Sequence, residues 1–242
     1  IGGDEVASSP LQSHHRYVIS FGSFPLRRSA LDGKTWLRAD ERQRKAWLRT
    51  GIVPEDYPEP VAADWPDLLA IVERKVKPER VTKAKDVSEW PWWKFWRIRT
   101  ELADASRGLS HVLVVSRVGT YLAFARLPCG VVVAESAVIF PFSTYRSFAL
   151  LQCRVHGMWA RFFASSLEDR LRYTPTDCFE TFPFPAGFET NAALEAAGRE
   201  YYEFRAVLMQ DLWLGLTEIY NLFHSPDDEA LARLEALFRK RA

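Results

Sequence analysis

The stretch HVLVVSRVGTYLAFARL, residues 111–127, decides the fold class. Its residues are mostly β-branched, aliphatic or aromatic, which is typical of strands whose side chains are buried. The pattern predicts two strands, His111–Val118 and Tyr121–Leu127, joined by a tight turn at Gly119-Thr120. The chain therefore contains a sheet near its middle.

Helical patterns flank these strands. A second strand pair is predicted at Val131–Ala134 and Val138–Phe142, followed by a long helix over Ser143–Ser165. The expected apolar face of that helix consists of Phe148, Leu151, Val155, Trp159 and Phe162. We predict an α+β (mixed α/β) fold, in which residues 1–185 form a central, mostly antiparallel sheet flanked by helices and residues 186–242 form a small helical C-terminal domain.

Composition restricts the class of protein. The chain has 242 residues, of which 48% are hydrophobic and 14% aromatic, so a packed core is expected rather than disorder. A membrane partner is not expected, because every long apolar run is interrupted by a charge. Three widely spaced cysteines suit a reducing compartment, and we expect a bacterial cytoplasmic protein. Because the chain starts at Ile1 and stops inside a helical pattern, it is predicted to be a piece of a longer protein.

The net charge of +1 conceals an asymmetry along the chain. Residues 74–99 contain nine basic side chains against three acidic ones, and residues 117–172 contain seven arginines against three acids. Residues 177–242 instead contain twelve acids against six bases. A basic middle of this kind indicates an anionic partner or, equally well on composition alone, a solvated surface with many ion pairs.

Catalytic motifs are missing from the sequence. It contains no Gly-x-Gly for a phosphate or dinucleotide cradle, and its five histidines have no metal-ligand spacing. Pro66-Asp67 with Glu73-Arg74-Lys75 imitates the residue set of many nucleases, but all of these residues are predicted on one helix, where they would not converge on a metal ion. We therefore expect that these 242 residues catalyse no reaction and bind no cofactor.

Two segments have the composition of a nucleic-acid surface. Residues 90–99 interleave four tryptophans with basic residues, and residues 168–172 place Glu168 and Arg170 two positions apart on predicted extended chain. Arginine can bond guanine in the major groove while a carboxylate accepts from cytosine, so this pair could read one G·C base pair. The tryptophans could equally be core residues, and the charged pair could equally be a surface ion pair worth under about 1 kcal/mol.

Several segments resemble one family. They are Ile1–Val6, Ser9–Ile19, Trp65–Arg80 (WPDLLAIVERKVKPER), the run LRYTPTDCFETFPFP at 171–185, and Gly215–His224. Together they are similar to the C-terminal part of MmeI-like type IIL restriction-modification enzymes and the related defence-island adenine-specific DNA methyltransferases. Residues 23–63 are the least similar part, and nothing is carried over to them.

The resemblance implies a DNA target recognition domain followed by a helical C-terminal domain. It implies that a parent chain carries an adenine-N6 methyltransferase domain that uses S-adenosylmethionine, and in some members a nuclease that needs magnesium. The implied partners are double-stranded DNA and the methyltransferase domain of the same parent chain. By similarity, the base-reading positions are Glu168 and Arg170, with a second set at Glu135 and Ser136.

We predict that a further set of basic residues tracks the DNA phosphates. They are Lys94, Arg97, Arg99, Arg117, Arg154, Arg161 and Arg172. One alternative is a protein–protein interaction scaffold of a phage-defence complex, with the aromatic run as its docking surface. Another is an RNA-binding protein, which would need exposed stacking aromatic side chains on a sheet.

Overall fold

The structure, a computed structural model, describes residues 1–96, 99–167, 170–224 and 228–241. Two compact units are present: residues 1–16 together with 101–242 form the first, and residues 17–100 form the second. Eight strands occur within the described residues. They are β1 (Arg27–Ser29), β2 (Ile52–Pro54), β3 (His111–Ser116), β4 (Val118–Gly119), β5 (Phe124–Pro128), β6 (Ala137–Phe140), β7 (Ser165–Leu167) and β8 (Arg170–Arg172).

Helices make up most of the remaining structure, and the described part of the chain contains twelve. They are α1 (Gly3–Ser8), α2 (Glu41–Thr50), α3 (Pro66–Lys75), α4 (Lys77–Val81), α5 (Lys85–Ser88), α6 (Thr100–Ala105), α7 (Tyr145–Gln152), α8 (Arg154–Phe163), α9 (Pro175–Cys178), α10 (Ala192–Leu212), α11 (Leu216–His224) and α12 (Asp228–Arg241). Short 3-10 turns lie at Ala62–Asp64 and Phe188–Thr190.

The main sheet of the first unit is antiparallel, with strand order β5-β3-β6. Because successive side chains of a strand point to opposite faces, β3 supplies both faces of the sheet with core residues. Val112 and Val114 pack in one cluster with residues of α1, α10 and α11. Leu113 and Val115 pack in a second cluster with residues of α7 and α8. The predicted α+β fold with an antiparallel sheet flanked by helices is therefore confirmed.

The predicted hairpin around Gly119 is wrong in its connection. β3 pairs with β5 in a register that sets Val115 opposite Phe124, so the two strands are joined by a longer segment rather than a two-residue turn. Within that segment, Val118 and Gly119 form β4 and pair with β8 instead. Tyr121 lies outside the sheet. The centre of its ring is 5.6 Å from the ring centre of Tyr220 and 5.2 Å from that of His224, both on α11.

The second predicted strand pair is also wrong. Residues 131–134 form no strand, and β6 pairs with β3, with Val115 opposite Val138. A segment without a ladder of its own can still satisfy its backbone groups through other bonds. Here the Ala134 N–H donates to the Ile1 carbonyl at 2.8 Å.

The long helix predicted over Ser143–Ser165 is two helices. Its cap is Thr144, whose hydroxyl accepts from the Ser147 N–H, and α7 ends before Cys153, which is extended with ψ of 158°. The Cys153 thiol then accepts from the His156 N–H and caps α8. This break changes which side chains of the second helix face the core.

The predicted apolar face survives only in its first part. Phe148 and Leu151 are buried in α7 and Trp159 of α8 is half-buried, whereas Val155 and Phe162 of α8 are exposed. The buried residues of α8 are His156 and Ala160. The apolar face was predicted from the helical spacing of apolar residues, and that spacing can be continued from α7 into α8 only if the helix is unbroken.

Helix α10 packs along α7 within the first unit. The Glu195 carboxylate accepts from the backbone N–H groups of Tyr145 and Arg146, and the Arg146 Nε donates to it at 2.9 Å. Gly198 faces the Tyr145 carbonyl so closely that there is no room for a Cβ atom. The predicted domain boundary between residues 185 and 186 stays a prediction about separately folding parts of the chain.

The second unit has two small cores. One forms around Phe21, Val72 and Trp93, and the other around Trp47 and Val53. A parallel pair of strands, β1 and β2, lies within this unit, with Arg28 opposite Val53.

Candidate nucleic-acid interface

A small antiparallel sheet of order β4-β8-β7 presents two of the predicted arginines. Strand β8 alternates exposed and buried side chains, so Arg170 and Arg172 point to solvent on one face while Leu171 packs into the core. Neither guanidinium bonds to any described residue. The sheet thus carries two exposed arginines on one face, with no hydrogen bond from either guanidinium to the part of the chain that the structure describes.

Glu168, the predicted partner of Arg170, lies outside the described residues, as does Arg97. The chain reaches Glu168 directly after Leu167, and Leu167 is paired with Arg170 across the β7–β8 ladder. The pairing of Glu168 with Arg170 stays a prediction. What is described is the strand on which Arg170 lies.

Strand β8 is held on the core by the residue that follows it, Tyr173, which is 1% exposed. The Tyr173 hydroxyl lies 3.2 Å from Nε2 of His156, and Nδ1 of His156 lies 2.6 Å from the Leu151 carbonyl. Since a carbonyl can only accept, Nδ1 carries the ring proton and Nε2 accepts from the tyrosine. Burial lowers the pKa of His156 and raises the pKa of Tyr173, so both side chains stay neutral and hold β8 on the core.

Arg117 connects β8 to the second predicted base-reading set. Its backbone N–H donates to the Ser136 carbonyl at 2.8 Å, and its Nε donates to the Glu135 carbonyl at 2.9 Å. Its own carbonyl accepts from the Tyr173 N–H at 2.8 Å. The structure therefore brings Glu135 and Ser136 to the end of β8, although sequence alone placed them only by similarity.

Glu135 and Ser136 differ in what their side chains can do. Both residues are exposed. The Glu135 carboxylate bonds to no described residue, whereas the Ser136 hydroxyl accepts from the Gly3 N–H at 2.9 Å. Ser136 can still donate its hydroxyl proton, but part of its bonding capacity holds α1.

Helix α8 carries the next two predicted cations. Arg154 is its first residue and is exposed, with no bond to any described residue. Arg161 lies two turns later, about 10 Å along the axis, and its Nη2 donates to the Thr120 carbonyl at 2.7 Å. Because Thr120 directly follows β4, this bond ties the end of α8 to the small sheet. Arg117, Arg161, Arg170 and Arg172 are thus gathered at the β4-β8-β7 sheet.

The remaining predicted cations belong to the second unit. Arg99 is exposed, while Lys94 is half-buried and donates to the Ser23 carbonyl at 3.0 Å. Desolvation lowers the pKa of Lys94, and its ammonium lies 5.8 Å from the centre of the Trp93 ring. The Lys94 charge is therefore engaged inside its own unit, and the phosphate contact predicted for it stays a prediction.

The tryptophan run divides between core and surface. Trp93 is buried, and its Nε1 donates to the Phe24 carbonyl at 3.0 Å, while Trp92 packs against the same cluster. Trp90 and Trp96 are exposed. Two of the four tryptophans thus belong to the core or pack against it, which agrees with the alternative interpretation of the run as core residues.

Sequence reasoning missed one feature near the small sheet, the exposed apolar side of α8. Met158 was not singled out at all, and Val155 and Phe162 were predicted to be core. Only the helix break at Cys153 would have revealed this, and a cysteine cap is a weak sequence signal. The break rotates these side chains away from the core.

Clusters of metal-binding side chains and membrane-spanning helices are both absent from the part of the chain that the structure describes. It holds no group of three or more His, Cys, Asp or Glu side chains that could bind a metal ion. None of its helices has the length and apolar character needed to cross a bilayer.

The first unit thus combines an α+β fold with four arginines gathered at one small sheet. A family model described as "MmeI, target recognition domain" matches residues 66–186, which is half of the chain. The chain belongs to this family.

Among solved structures, one match is described as "Structure of Type IIL restriction-modification enzyme MmeI in complex with DNA has implications for engineering of new specificities". The identity is 21% and the TM-score 0.46, with 71% of this chain and 26% of that chain covered. The chain thus spans about a quarter of the length of that protein. No curated protein matches the chain.

Proposed function

We propose that the chain is the DNA target recognition module of a restriction-modification enzyme. The observation that carries the proposal is the exposed arginine pair of β8 in a chain of the MmeI target recognition domain family. On such a strand one guanidinium is suited to bond a guanine edge in the major groove and the other to bond a nearby phosphate. Family membership supports DNA as the anion that these groups meet.

The module reads bases with a few side chains and grips phosphates with others. Arg170 with Glu168, and Glu135 with Ser136, are assigned to the bases. Arg154, Arg161 and Arg172 of the first unit are assigned to the phosphates, which set register and supply salt-dependent affinity without sequence information. Arg117 supports both sets, because its side chain already bonds the Glu135 carbonyl.

Chemistry on the DNA belongs to other parts of a parent enzyme. We propose an adenine-N6 methyltransferase domain there, which must flip the adenine out of the stack before N6 can be methylated. S-adenosylmethionine, and magnesium for any nuclease, are assigned to those parts, and no catalytic residue is assigned to this chain. The role of the chain is to hold the duplex in one register while that step occurs.

The test of base reading is an exchange of the charged pair. The double variant Glu168→Lys, Arg170→Asp reverses the donor and acceptor pattern, so we expect a different base pair to be required at one position of the site. Each lost bidentate contact costs about 1–3 kcal/mol of discrimination. Selection of duplexes from a randomised pool, followed by sequencing, measures the site for the chain and for the variant.

The control is Arg107→Asp, which changes an exposed arginine that pairs with Asp104. It should leave the selected site unchanged. An identical site for the double variant and the unsubstituted chain would refute the assignment of Glu168 and Arg170.

A scaffold function is favoured by one observation, an apolar groove in the second unit. It has a volume of about 380 Å³ and is lined by Tyr17, Val18, Ile19, Ser20, Phe21, Phe24, Trp65 and Leu68. A protein segment would suit such a groove better than DNA would. The scaffold alternative predicts that the chain binds no duplex DNA at any salt concentration, whereas a target recognition module must bind it.

A further inference from the structure

Helix α8 exposes a stripe of apolar side chains that its own unit does not cover. Val155, Met158 and Phe162 recur at spacings of three and four, so they lie on one side of the helix. Their exposed fractions are 65%, 63% and 81%. His156 and Ala160, on the opposite side, are fully buried. Exposed apolar side chains that lie together on one side of a helix form a candidate binding surface.

Positive charge borders one edge of this apolar stripe. The ten residues of α8 include no aspartate or glutamate, and Arg154 and Arg161 lie along the edge of the stripe. An apolar surface bordered by arginines is complementary to a partner that offers apolar groups between anionic ones. The major groove of DNA has this composition, because thymine methyl groups and base edges lie between two rows of phosphates.

The stripe ends close to the arginines of β8. Ser165 is paired with Arg172 across the β7–β8 ladder, and only two residues separate Phe162 from Ser165. Three residue steps span at most about 11 Å, and a cross-strand pair adds about 5 Å. The Cα atoms of Phe162 and Arg172 are therefore within about 16 Å of each other, which is less than half a turn of the duplex.

We infer that the α8 stripe is a second base-reading element, in which Phe162 contacts the C5 methyl group of a thymine in the major groove. The inference rests on the proposed function, since it requires that the chain binds duplex DNA. Phe162 is the most exposed member of the stripe and the nearest to β8. Met158 and Val155 extend the same contact along the groove, while Arg154 and Arg161 bond the phosphates on its edge.

The experiment compares the unsubstituted chain, Phe162→Ala and a matched control. The control is Phe223→Ala, which removes a phenyl group 51% exposed on α11. Each protein selects duplexes from a randomised pool. We expect Phe162→Ala to lose the preference for thymine at one position while it retains the rest of the site, and Phe223→Ala to retain every position.

Removal of the methyl group itself then isolates the contact. Replacing that thymine by deoxyuridine should weaken binding by the unsubstituted chain about fourfold, the effect of one buried methyl group. The same replacement should leave the affinity of Phe162→Ala unchanged. Met158→Ala provides a second variant with its own thymine preference, should Phe162→Ala fail to fold by circular dichroism.

The outcomes separate the two proposals. No DNA binding by the unsubstituted chain would overturn the proposed function and this inference with it. A selected site that is the same for the unsubstituted chain, Phe162→Ala and Met158→Ala, with equal sensitivity to deoxyuridine, would overturn the inference alone. The stripe would then be the docking surface for another part of a parent enzyme.

Discussion

At the scale of single residues, Arg117 and His156 explain why β8 has a fixed position. Arg117 bonds to Glu135, Ser136 and Tyr173 through its backbone and its side chain. His156 bonds to Tyr173 from the core. Both residues act on β8 through its neighbour Tyr173, so they position the strand without bonding the side chains of Arg170 and Arg172.

The buried histidine predicts a pH dependence of stability. Burial holds the pKa of His156 below the ordinary 6.5, so below that pH the unfolded chain takes up a proton that the folded chain does not. The free energy of unfolding should therefore fall as the pH is lowered from 7.5 to 5.5, and this residue should contribute no pH dependence above about 7.5. Urea unfolding of the chain and of His156→Gln, at both pH values, measures the contribution.

The variant should lose less stability between the two pH values than the unsubstituted chain. Part of the dependence should remain, because burial and Arg126 also lower the pKa of His111. An equal loss in both proteins would show that His156 is not held neutral in the fold.

At the residue level, the sequence predicted extended chain at Glu168–Arg172, and strand β8 at Arg170–Arg172 agrees with that prediction. The base-reading roles of Glu168 and Arg170 stay predictions. Arg117 could not be expected to bond Glu135 and Ser136, because those residues meet only when β6 and β8 are both in place. The hydrogen bond of Lys94 could not be expected either, because its partner Ser23 is distant in the chain.

At the scale of elements, the helices α7 and α8 show how one capping residue changes which side chains of a helix are exposed. The extended backbone of Cys153 ends one helix, and its thiol begins the next. Strands β3 and β5 were predicted close to their true bounds because their composition is strongly β-like. Their connection and the partner of β6 were wrong because strand pairing depends on contacts far apart in sequence.

Two glycines in helices predict opposite effects of the same substitution. A Cβ atom at Gly198 of α10 would collide with the Tyr145 carbonyl of α7, so Gly198→Ala should lower the free energy of unfolding by about 1–3 kcal/mol. Gly157 of α8 has no atom within 4 Å of the same position. Gly157→Ala should therefore raise the free energy of unfolding by about 0.5–1 kcal/mol, because alanine has the higher helix propensity.

Chemical denaturation followed by circular dichroism measures the free energy of unfolding of both variants and of the unsubstituted chain. The pair is matched because both glycines lie inside helices of the same unit. Equal effects on stability, in either direction, would contradict the close approach of α10 and α7.

At the scale of the whole molecule, charge is separated along the chain. Four exposed arginines of the first unit, Arg154, Arg161, Arg170 and Arg172, lie on α8 and β8, whereas the sequence from 177 onward is acidic overall. The small net charge therefore gives no information about the surface that a ligand meets. A long-range attraction to DNA depends on this local excess and is screened by salt.

Arg154→Ala should weaken binding to every duplex sequence. Its exposed guanidinium bonds to no described residue, so one phosphate contact is lost and the slope of log affinity against log salt should become less steep by about 0.9. Arg107→Ala, in which the lost cation already has Asp104 as a partner, should leave the slope unchanged. Fluorescence anisotropy with labelled duplexes over a salt series gives both slopes.

A defect confined to one DNA sequence would contradict the phosphate role of Arg154. Such a result would move Arg154 to the base-reading set. An unchanged slope together with unchanged affinity would remove it from the interface.

The support of β8 has a consequence for how the molecule tolerates change. The bonds that fix the strand are made by backbone groups, by Arg117 and by the buried pair His156 and Tyr173, and none of them involves the side chains of Arg170 and Arg172. Exchanging those two side chains therefore leaves the scaffold intact. Variation can accumulate at the positions that select the partner while the fold is inherited unchanged, so a lineage of such proteins could diversify in what it binds without first having to regain stability.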